Sequence, residues 1–311
     1  MRTITAYAPA SIGNFIAGFD ALGCALAPVD GSLWGDRVIL CEAETDAFEC
    51  EGRFAHRLPR CHSDNLVLKA KTVFEEALGR RLPPIAIRLQ KCLPVSSGLG
   101  SSSSSLVAAL VAFNAWEKNP ITITDLLGLA GRVECMGSGS VHYDNVAPCL
   151  LGGLRIVAHD ARTQALPFPE NLLLVVAESG LELSTRQSRG VLPATIPLSR
   201  AVEYGQNLAA FVHAIHIKDS ELLRETFHDL VAEPYRADLV KGFRKIQSAS
   251  LDAGALGCSF AGSGPAIFAV AESTVAPVVA EAMKKAFTES GVPFRVCVCR
   301  LDMQGARLLC D

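Results

Sequence analysis

The amino-acid sequence predicts an α+β protein that is divided into two domains. Its 311 residues are enough for one large or two ordinary hydrophobic cores. Strand-like alternation and helical periodicity both occur in each half of the chain, which is typical of the α+β class. A connection that contains proline runs from residue 160 to residue 170. We therefore place the domain boundary there, between residues 1–160 and residues 161–311.

Composition and charge favour a globular protein that acts on a small molecule. Half of the residues are hydrophobic and a fifth are charged, which leaves little room for disorder. The net charge of −3 provides no basic surface for nucleic acid or for an anionic membrane. Because the sequence has neither a signal-peptide pattern nor an apolar segment of membrane-spanning length, we expect a cytoplasmic protein. We interpret the eleven cysteines as reduced core thiols and expect that Cys297 and Cys299 cannot face one metal.

Local patterns predict the elements of the first half. Alternating apolar residues indicate strands over residues 3–8, 36–44, 85–89 and 154–158. A helical period begins at Asn65 and is closed by Gly79. Thr124 and Asp125 are expected to cap another helix, which runs to about Cys135.

A loop rich in glycine and serine, residues 94–105, follows one of these strands. Gly98 and Gly100 allow its backbone to bend tightly and to approach a ligand closely. The apolar run after the loop predicts a buried helix, for which Ser101 or Ser102 is a suitable N-cap. A glycine turn that leads into a helix presents free N–H groups to a phosphate. The loop is therefore a candidate phosphate-binding site, unless it serves only to cap the helix.

Two common phosphate-binding signatures do not fit this loop. The P-loop pattern requires a lysine directly after its last glycine, where this chain has Ser101. The dinucleotide fingerprint requires a third glycine at the position of Ser103. The loop is thus of a third type.

A polar segment near the N-terminus, residues 8–20, contains a second candidate site. Asn14 lies between two glycines, and the segment ends at the carboxylate of Asp20. A strand-to-loop connection with a capping aspartate would explain the same pattern without a function.

The segment of residues 133–148 contains a third candidate site. Glu134 is a hard-oxygen ligand of the kind that Mg²⁺ takes singly or in pairs, together with phosphate oxygens and water. His142 and Asn145 follow about two helical turns later. The alternative is a polar helix end followed by a surface loop.

The second half alternates strands with helices. Apolar patterns predict strands over residues 172–177, 265–271 and 294–300, and helices over residues 201–217, 220–231, 237–253 and 275–287. Thr185 and Arg189 are four residues apart and share one face of a short helix. Arg236 lies in a Glu-Pro-Tyr-Arg stretch that interrupts the helical region.

These segments resemble the motifs of the GHMP kinases, the family of galactokinase, homoserine kinase, mevalonate kinase and phosphomevalonate kinase. The glycine loop reads Pro-x-x-x-Gly-Leu-Gly-Ser-Ser, and the first polar segment reads Pro-Ala-Ser-x-x-Asn-x-x-x-Gly-Phe-Asp. The stretch Gly-Ser-Val-His-Tyr-Asp-Asn-Val-Ala-Pro is similar to the homoserine kinase form of the family. The stretch Ala-Gly-Ser-Gly-Pro-Ala, residues 261–266, resembles the third family motif, Ser-Gly-x-Gly-Pro-Thr, but Ala261 replaces the usual serine and Ala266 the usual threonine.

The resemblance implies a fold, a reaction and partners. The expected fold is α+β, with an N-terminal domain similar to ribosomal protein S5 domain 2 that contains a left-handed βαβ unit, and a ferredoxin-like C-terminal domain. The expected reaction transfers the γ-phosphoryl group of ATP to the hydroxyl of L-homoserine, with Mg²⁺, on the way to threonine. A homodimer is expected from the family.

The resemblance also implies the site residues. ATP is expected at Pro94, Ser96, Ser97, Gly98, Leu99, Gly100, Ser101, Ser102, Ser103 and Ser104. Mg²⁺ is expected at Glu134 with the hydroxyl of Ser101 or Ser102. The substrate is expected at Asn14, Asp20, His142, Asn145, Thr185, Arg189 and Arg236, with Asp20 facing its ammonium group and the two arginines facing its carboxylate. Of these, Glu134, Asn145 and Arg189 are the expected catalytic residues.

Two questions stay open at this point. No residue is an obvious general base, so the resemblance implies that the phosphate itself accepts the proton, with His142 as the alternative base. The chain could also be a GHMP kinase for another hydroxylated metabolite, or a sensor of ATP or an amino acid without catalytic activity.

Overall fold

The computed structural model describes residues 2–59, 61–139, 141–158 and 162–310. In chain order its strands are Thr3–Pro9 (β1), Ser11–Gly13 (β2), Leu22–Pro28 (β3), Gly35–Glu42 (β4), Ala47–Glu51 (β5), Ile85–Gln90 (β6), Leu154–Val157 (β7), Thr163–Leu166 (β8), Leu172–Ser179 (β9), Gly257–Phe260 (β10), Ile267–Glu272 (β11), Phe294–Leu301 (β12) and Arg307–Leu309 (β13). Its α-helices are Leu66–Leu78 (α1), Ser101–Trp116 (α2), Ile123–Ser138 (α3), Tyr143–Leu151 (α4), Thr185–Gly190 (α5), Leu198–Ile217 (α6), Ser220–Thr226 (α7), Glu233–Arg236 (α8), Phe243–Asp252 (α9) and Ala276–Ser290 (α10).

The first sheet has the strand order β13–β1–β4–β6–β5. Strands β5 and β6 are parallel neighbours that α1 connects, so they form the expected βαβ unit, and the glycine loop follows directly after it. Helices α1, α2 and α3 pack beside this sheet, with the rings of Phe74 and Phe113 5.9 Å apart in their common core. Helix α2 is buried along most of its length, because its inner turns are almost entirely apolar.

The second sheet has the strand order β10–β11–β9–β12–β3–β7–β8, with β2 paired to β3. Its first four strands are antiparallel and follow the β9–helices–β10–β11–α10–β12 sequence, which is the expected ferredoxin-like arrangement. This confirms the predicted α+β class. Strand β9 is buried along nearly its whole length, as its apolar sequence predicts.

The two sheets are linked by strands that lie far apart in the sequence. Strand β3, from the first half of the chain, pairs with β12, and β13 returns to pair with β1 in the first sheet. The predicted domain boundary, between residues 160 and 161, lies outside the described residues and stays a prediction. No helix of the described ranges is both long enough and apolar enough to span a membrane.

Several helix boundaries differ from the sequence predictions. Gly100, in the left-handed region at φ +60°, is the N-cap of α2 rather than a serine, because Ser101 is already helical. Helix α3 is capped by the hydroxyl of Thr122, which accepts from the Asp125 N–H, and not by Thr124. The predicted helix over residues 220–231 ends at Thr226, and the one over residues 237–253 begins only at Phe243.

The expectation about Cys297 and Cys299 is wrong. Residues two apart in a strand point to the same face, and the two sulfur atoms lie 3.7 Å apart on β12. All eleven cysteines are free thiols in the structure, but the prediction that they are core residues is wrong for Cys61, Cys92 and Cys310, which are exposed.

Candidate active site

A cavity of about 480 Å³ lies where the glycine loop meets α3, α4, α5 and α8. Nearly all of the predicted site residues line it: Asn14, Asp20, Ser96, Ser97, Gly98, Gly100, Ser101, Ser102, Ser103, Glu134, His142, Asn145, Thr185, Arg189 and Arg236. Pro94, Leu99 and Ser104 do not line the cavity. Leu99 packs in the hydrophobic core beside the second sheet, and the buried hydroxyl of Ser104 donates to the carbonyl of Ala8.

The glycine loop is held in place by backbone contacts that leave no room for side chains. At Gly98, φ is +83°, and a Cβ atom would lie 2.2 Å from the carbonyl oxygen of Ala261. The carbonyl of Ser97 accepts from the N–H of Ala266 at 3.0 Å, which joins the loop to the second sheet. The first turn of α2 lines the cavity, so its N–H groups lie at the cavity wall.

The hydroxyls of the five consecutive serines have different hydrogen-bond partners. Ser104 donates to the carbonyl of Ala8 at 2.7 Å, and Ser101 donates to the carbonyl of Leu93 at 3.3 Å. Only Ser102 donates to Glu134, at 3.2 Å between Oγ and Oε1. The Ser103 hydroxyl is buried and has no hydrogen-bond partner in the described part of the chain.

A buried ion pair between Lys91 and Asp36, which was not predicted from the sequence, lies beneath the loop. The ammonium of Lys91 contacts the carboxylate of Asp36, the carbonyl oxygen of Ser101 at 2.7 Å and the hydroxyl of Ser105 at 2.8 Å. The same carboxylate accepts from the N–H of Leu93 at 3.0 Å. The pair therefore ties β4, the end of β6 and α2 together at the base of the loop. One signal was available, since period-two alternation along β6 carries Lys91 to the buried face.

Glu134 is half-buried beside the first turn of α2. Burial of its carboxyl raises its pKa to about 7, although the hydrogen bond from Ser102 acts in the opposite direction. In the described residues, no group of three or more His, Cys, Asp or Glu side chains is close enough to hold a metal alone. The hydroxyl and the carboxylate are both hard-oxygen donors, so they fit an ion such as Mg²⁺ that completes its shell with phosphate and water.

Three charged or titratable groups meet at the other end of the cavity. The guanidinium of Arg189 lies 2.6 Å from Asp20 and 3.2 Å from Nδ1 of His142. Because arginine can only donate, Nδ1 accepts and the neutral imidazole carries its proton on Nε2. Burial and the neighbouring guanidinium lower the pKa of His142, against the opposing effect of Asp20.

Asn14 and Asp144 form the floor between these two ends. The side chain of Asn14 accepts from the N–H of Asp20 at 2.9 Å and donates to the carbonyl of Gly262 at 2.8 Å. Its backbone N–H donates to the buried carboxyl of Asp144 at 3.2 Å. Asp144 also lines the cavity. The motif gave it no predicted role, although it lies between His142 and Asn145. Burial, with a further contribution from Asp20, raises its pKa to about 6.

The remaining predicted residues complete the wall. Asn145 accepts from the hydroxyl of Ser11 at 3.0 Å. Arg236 is buried and donates to the carbonyl oxygens of Ser188 at 3.1 Å and Gly262 at 3.2 Å. Thr185 is exposed at the first turn of α5, on the same side as Arg189.

Family models and solved structures both assign the chain to the same family. The family model for the GHMP kinases N terminal domain matches residues 65–153, and the model for the GHMP kinases C terminal domain matches residues 211–289. A homoserine kinase from Cytophaga hutchinsonii is 36% identical and superimposes with a TM-score of 0.92 over 99% of this chain and 98% of its own.

Two more distant structures share the fold. A putative homoserine kinase from Listeria monocytogenes is 23% identical, with a TM-score of 0.74 over 99% of this chain and 100% of its own. A mevalonate kinase from Methanococcus jannaschii is 14% identical, with a TM-score of 0.72 over 96% of this chain and 98% of its own.

Proposed function

The chain belongs to the GHMP kinase family of ATP-dependent small-molecule kinases, and from this premise we propose that it transfers the γ-phosphoryl group of ATP to the hydroxyl of L-homoserine. The product would be O-phospho-L-homoserine, a precursor of threonine. The observation that carries the proposal is that a carboxylate, Asp20, and two guanidiniums, Arg189 and Arg236, line the same cavity as the glycine loop and Glu134. A zwitterionic acceptor needs partners of both signs, and guanidiniums suit its carboxylate.

The glycine loop and α2 would hold the phosphates. Backbone N–H groups between Ser97 and Ser103 border the cavity, and the N-terminus of a long helix favours negative charge. The unpartnered hydroxyl of Ser103 adds one more donor at this place. Phosphoryl transfer depends mainly on such positioning and on neutralisation of charge.

Ser102 and Glu134 would hold Mg²⁺. Their side chains face each other, whereas the hydroxyl of Ser101 is turned toward Leu93. When bound, the metal would supply positive charge that neutralises the transferred phosphoryl group.

The acceptor would lie between the charged groups and the loop. Asp20 would bind its ammonium group, Arg189 and Arg236 would bind its carboxylate, and His142 would donate from Nε2. Asn145 and Thr185 would orient the chain that carries the reacting hydroxyl. Because Nδ1 of His142 already accepts from Arg189, we propose that the hydroxyl proton passes to the phosphate rather than to this imidazole.

The cellular context is part of the proposal. We expect the enzyme to act in the cytoplasm and to form a homodimer. Size-exclusion chromatography with light scattering tests the dimer, since a monomeric mass at micromolar concentration would contradict it.

ATP turnover by the purified protein tests the proposal. With Mg²⁺ present, the acceptors to compare are L-homoserine, D-homoserine, L-serine, L-threonine, mevalonate and galactose, and Glu134→Gln is the control variant. We expect turnover only with L-homoserine and a loss of at least 100-fold in kcat in the variant.

Two other results would contradict it. Turnover with mevalonate or galactose would show that the charged end of the cavity does not select a zwitterion. ATP binding without turnover of any acceptor would favour a sensor over an enzyme.

A further inference from the structure

Phe19 makes the same contact with both of the arginines that face the cavity. The centre of its ring lies 5.6 Å from Cζ of Arg189 and 5.6 Å from Cζ of Arg236. Both distances are within the range in which a guanidinium is attracted to an aromatic ring. Phe19 itself does not line the cavity, so it would act on a ligand only through these two neighbours.

The charges of Asp20 and Asp144 also act on both arginines, but Phe19 is the one aromatic ring among the described residues that lies against both guanidiniums. Arg189 comes from α5 and contacts Asp20 and His142, whereas Arg236 comes from α8 and donates to two carbonyl oxygens. Two neighbouring guanidiniums repel each other. Burial is the main cause of the lowered pKa of Arg236, and the charge of Arg189 adds to it, against the opposing effect of nearby carboxylates. Attraction of both guanidiniums to the ring of Phe19 offsets part of this repulsion.

Phe19 is held in place from a third element. The hydroxyl of Tyr204, on α6, donates to the carbonyl oxygen of Phe19 at 3.2 Å. The next residue, Asp20, is fixed by the hydrogen bond from its N–H to Asn14. Ring and backbone are therefore both restrained at the point where the arginines meet.

We propose that Phe19 is a positioning residue for recognition of the acceptor carboxylate, and that Tyr204 positions Phe19. This inference rests on the proposed function, because it assumes that Arg189 and Arg236 bind that carboxylate. It adds a step, namely that the spacing of the two guanidiniums is set by a ring that never touches the acceptor.

Steady-state kinetics of Phe19→Leu tests the inference, with L-homoserine and ATP varied separately. Loss of two ring contacts should raise the KM for L-homoserine roughly 5- to 30-fold. The KM for ATP and kcat should stay within about threefold of the wild type, because the glycine loop and Glu134 are not touched. A purely structural defect would not separate the two substrates in this way.

Three further variants sharpen the test. Phe19→Tyr keeps the ring and should restore most of the affinity for L-homoserine. Tyr204→Phe removes one hydroxyl from a half-buried ring and should raise the same KM about two- to fivefold. Phe294→Leu is the matched control, since Phe294 is half-buried against Phe287 and lies outside the cavity lining; its kinetics should be those of the wild type.

The outcomes distinguish this inference from the proposed function. If the wild type phosphorylates L-homoserine but Phe19→Leu leaves its KM unchanged, or raises the KM for ATP equally, the inference is wrong and the function stands. If the wild type neither binds nor phosphorylates L-homoserine, the proposed function is wrong and the inference falls with it.

Discussion

Ser101 and Ser102 are neighbours in the sequence, but their hydroxyls have different partners. Ser102 faces Glu134, and Ser101 faces the carbonyl of Leu93. We predict that Ser102→Ala lowers kcat by 10- to 100-fold and raises the Mg²⁺ concentration needed for half-maximal rate, because one hard-oxygen ligand is lost.

Ser101→Ala is the matched control for that variant. It should change the Mg²⁺ dependence less than threefold, since its hydroxyl is bonded away from the carboxylate. Equal Mg²⁺ curves for the two variants would contradict the assignment.

Asp144 gives a prediction about pH and stability. Its folded pKa of about 6 lies above the ordinary value of 3.8, so the folded state keeps its proton longer than the unfolded chain does. Stability from this group is therefore present below about pH 4 and is lost as the pH rises toward 6. Asp144→Asn cannot ionise and should be more stable than the wild type by about 3 kcal/mol at pH 7, and nearly equally stable at pH 4.

Urea unfolding at a series of pH values measures this difference. Nucleotide and divalent cations are omitted, so that only the empty protein titrates. A stability gain that is the same at pH 4 and pH 7 would show that packing, and not the charge of Asp144, is responsible.

At the scale of the element, the glycine loop depends on backbone space as well as on conformation. An alanine at Gly98 would have φ in the left-handed region and a Cβ against a backbone oxygen that cannot move away cheaply. We predict that Gly98→Ala weakens ATP binding at least tenfold and costs about 2 kcal/mol of stability. Calorimetric titration with ATP and thermal unfolding measure the two effects.

Gly128 provides the control for a glycine substitution that should do no harm. It lies inside α3, and an added Cβ would meet nothing within 4 Å. Gly128→Ala should therefore stabilise the protein by up to about 1 kcal/mol with unchanged ATP affinity. A loss of ATP affinity in this variant as well would mean that the Gly98 result does not report on the loop.

Elements with a strong local signal could be predicted from the sequence, and those fixed by distant contacts could not. The helical period predicted from Asn65 to Gly79 is confirmed as helix α1, with Asn65 as its N-cap and Gly79 as its C-cap, because the apolar period and the glycine are local signals. Helix α4 was missed because Pro148 lies inside it and argues against a helix. The cap of α2 was misplaced because any of five serines could cap a helix, whereas the positive φ of Gly100 shows only in the structure.

The same distinction applies to the candidate site. The motif residues cluster around one cavity, as their chemistry and the family resemblance predict. The pairing of Lys91 with Asp36 joins positions 55 residues apart. Local sequence patterns do not predict which carboxylate pairs with a buried lysine. The contact between Asp20 and Arg189, 169 residues apart, was equally hidden, since each was expected to face the substrate instead.

At the scale of the whole molecule, the interleaved strands predict cooperative unfolding. The two tryptophans report on different cores, because Trp116 packs in the core beside the first sheet and Trp34 packs in the core beside the second. Strands β3 and β13 each cross between the halves of the chain. Trp34→Phe and Trp116→Phe each keep one tryptophan. We predict that, within each variant, the urea midpoint measured by tryptophan fluorescence equals the one measured by circular dichroism.

Trp34→Phe should itself be well tolerated, since the buried indole N–H of Trp34 has no partner among the described residues. A fluorescence midpoint that differs from the circular dichroism midpoint of the same variant would mean that the halves unfold independently.

The ion pair between Asp20 and Arg189 has a consequence for the proposed reaction when ionic strength changes. These two groups form an ion pair with each other, so an incoming zwitterion would exchange partners with them rather than meet free charges. Salt weakens the pair that is given up as well as the pairs that are gained. The KM for L-homoserine should therefore change less than twofold between 50 and 500 mM NaCl. ATP is a polyanion whose binding would not break an ion pair of this kind, so its KM should rise severalfold over the same range.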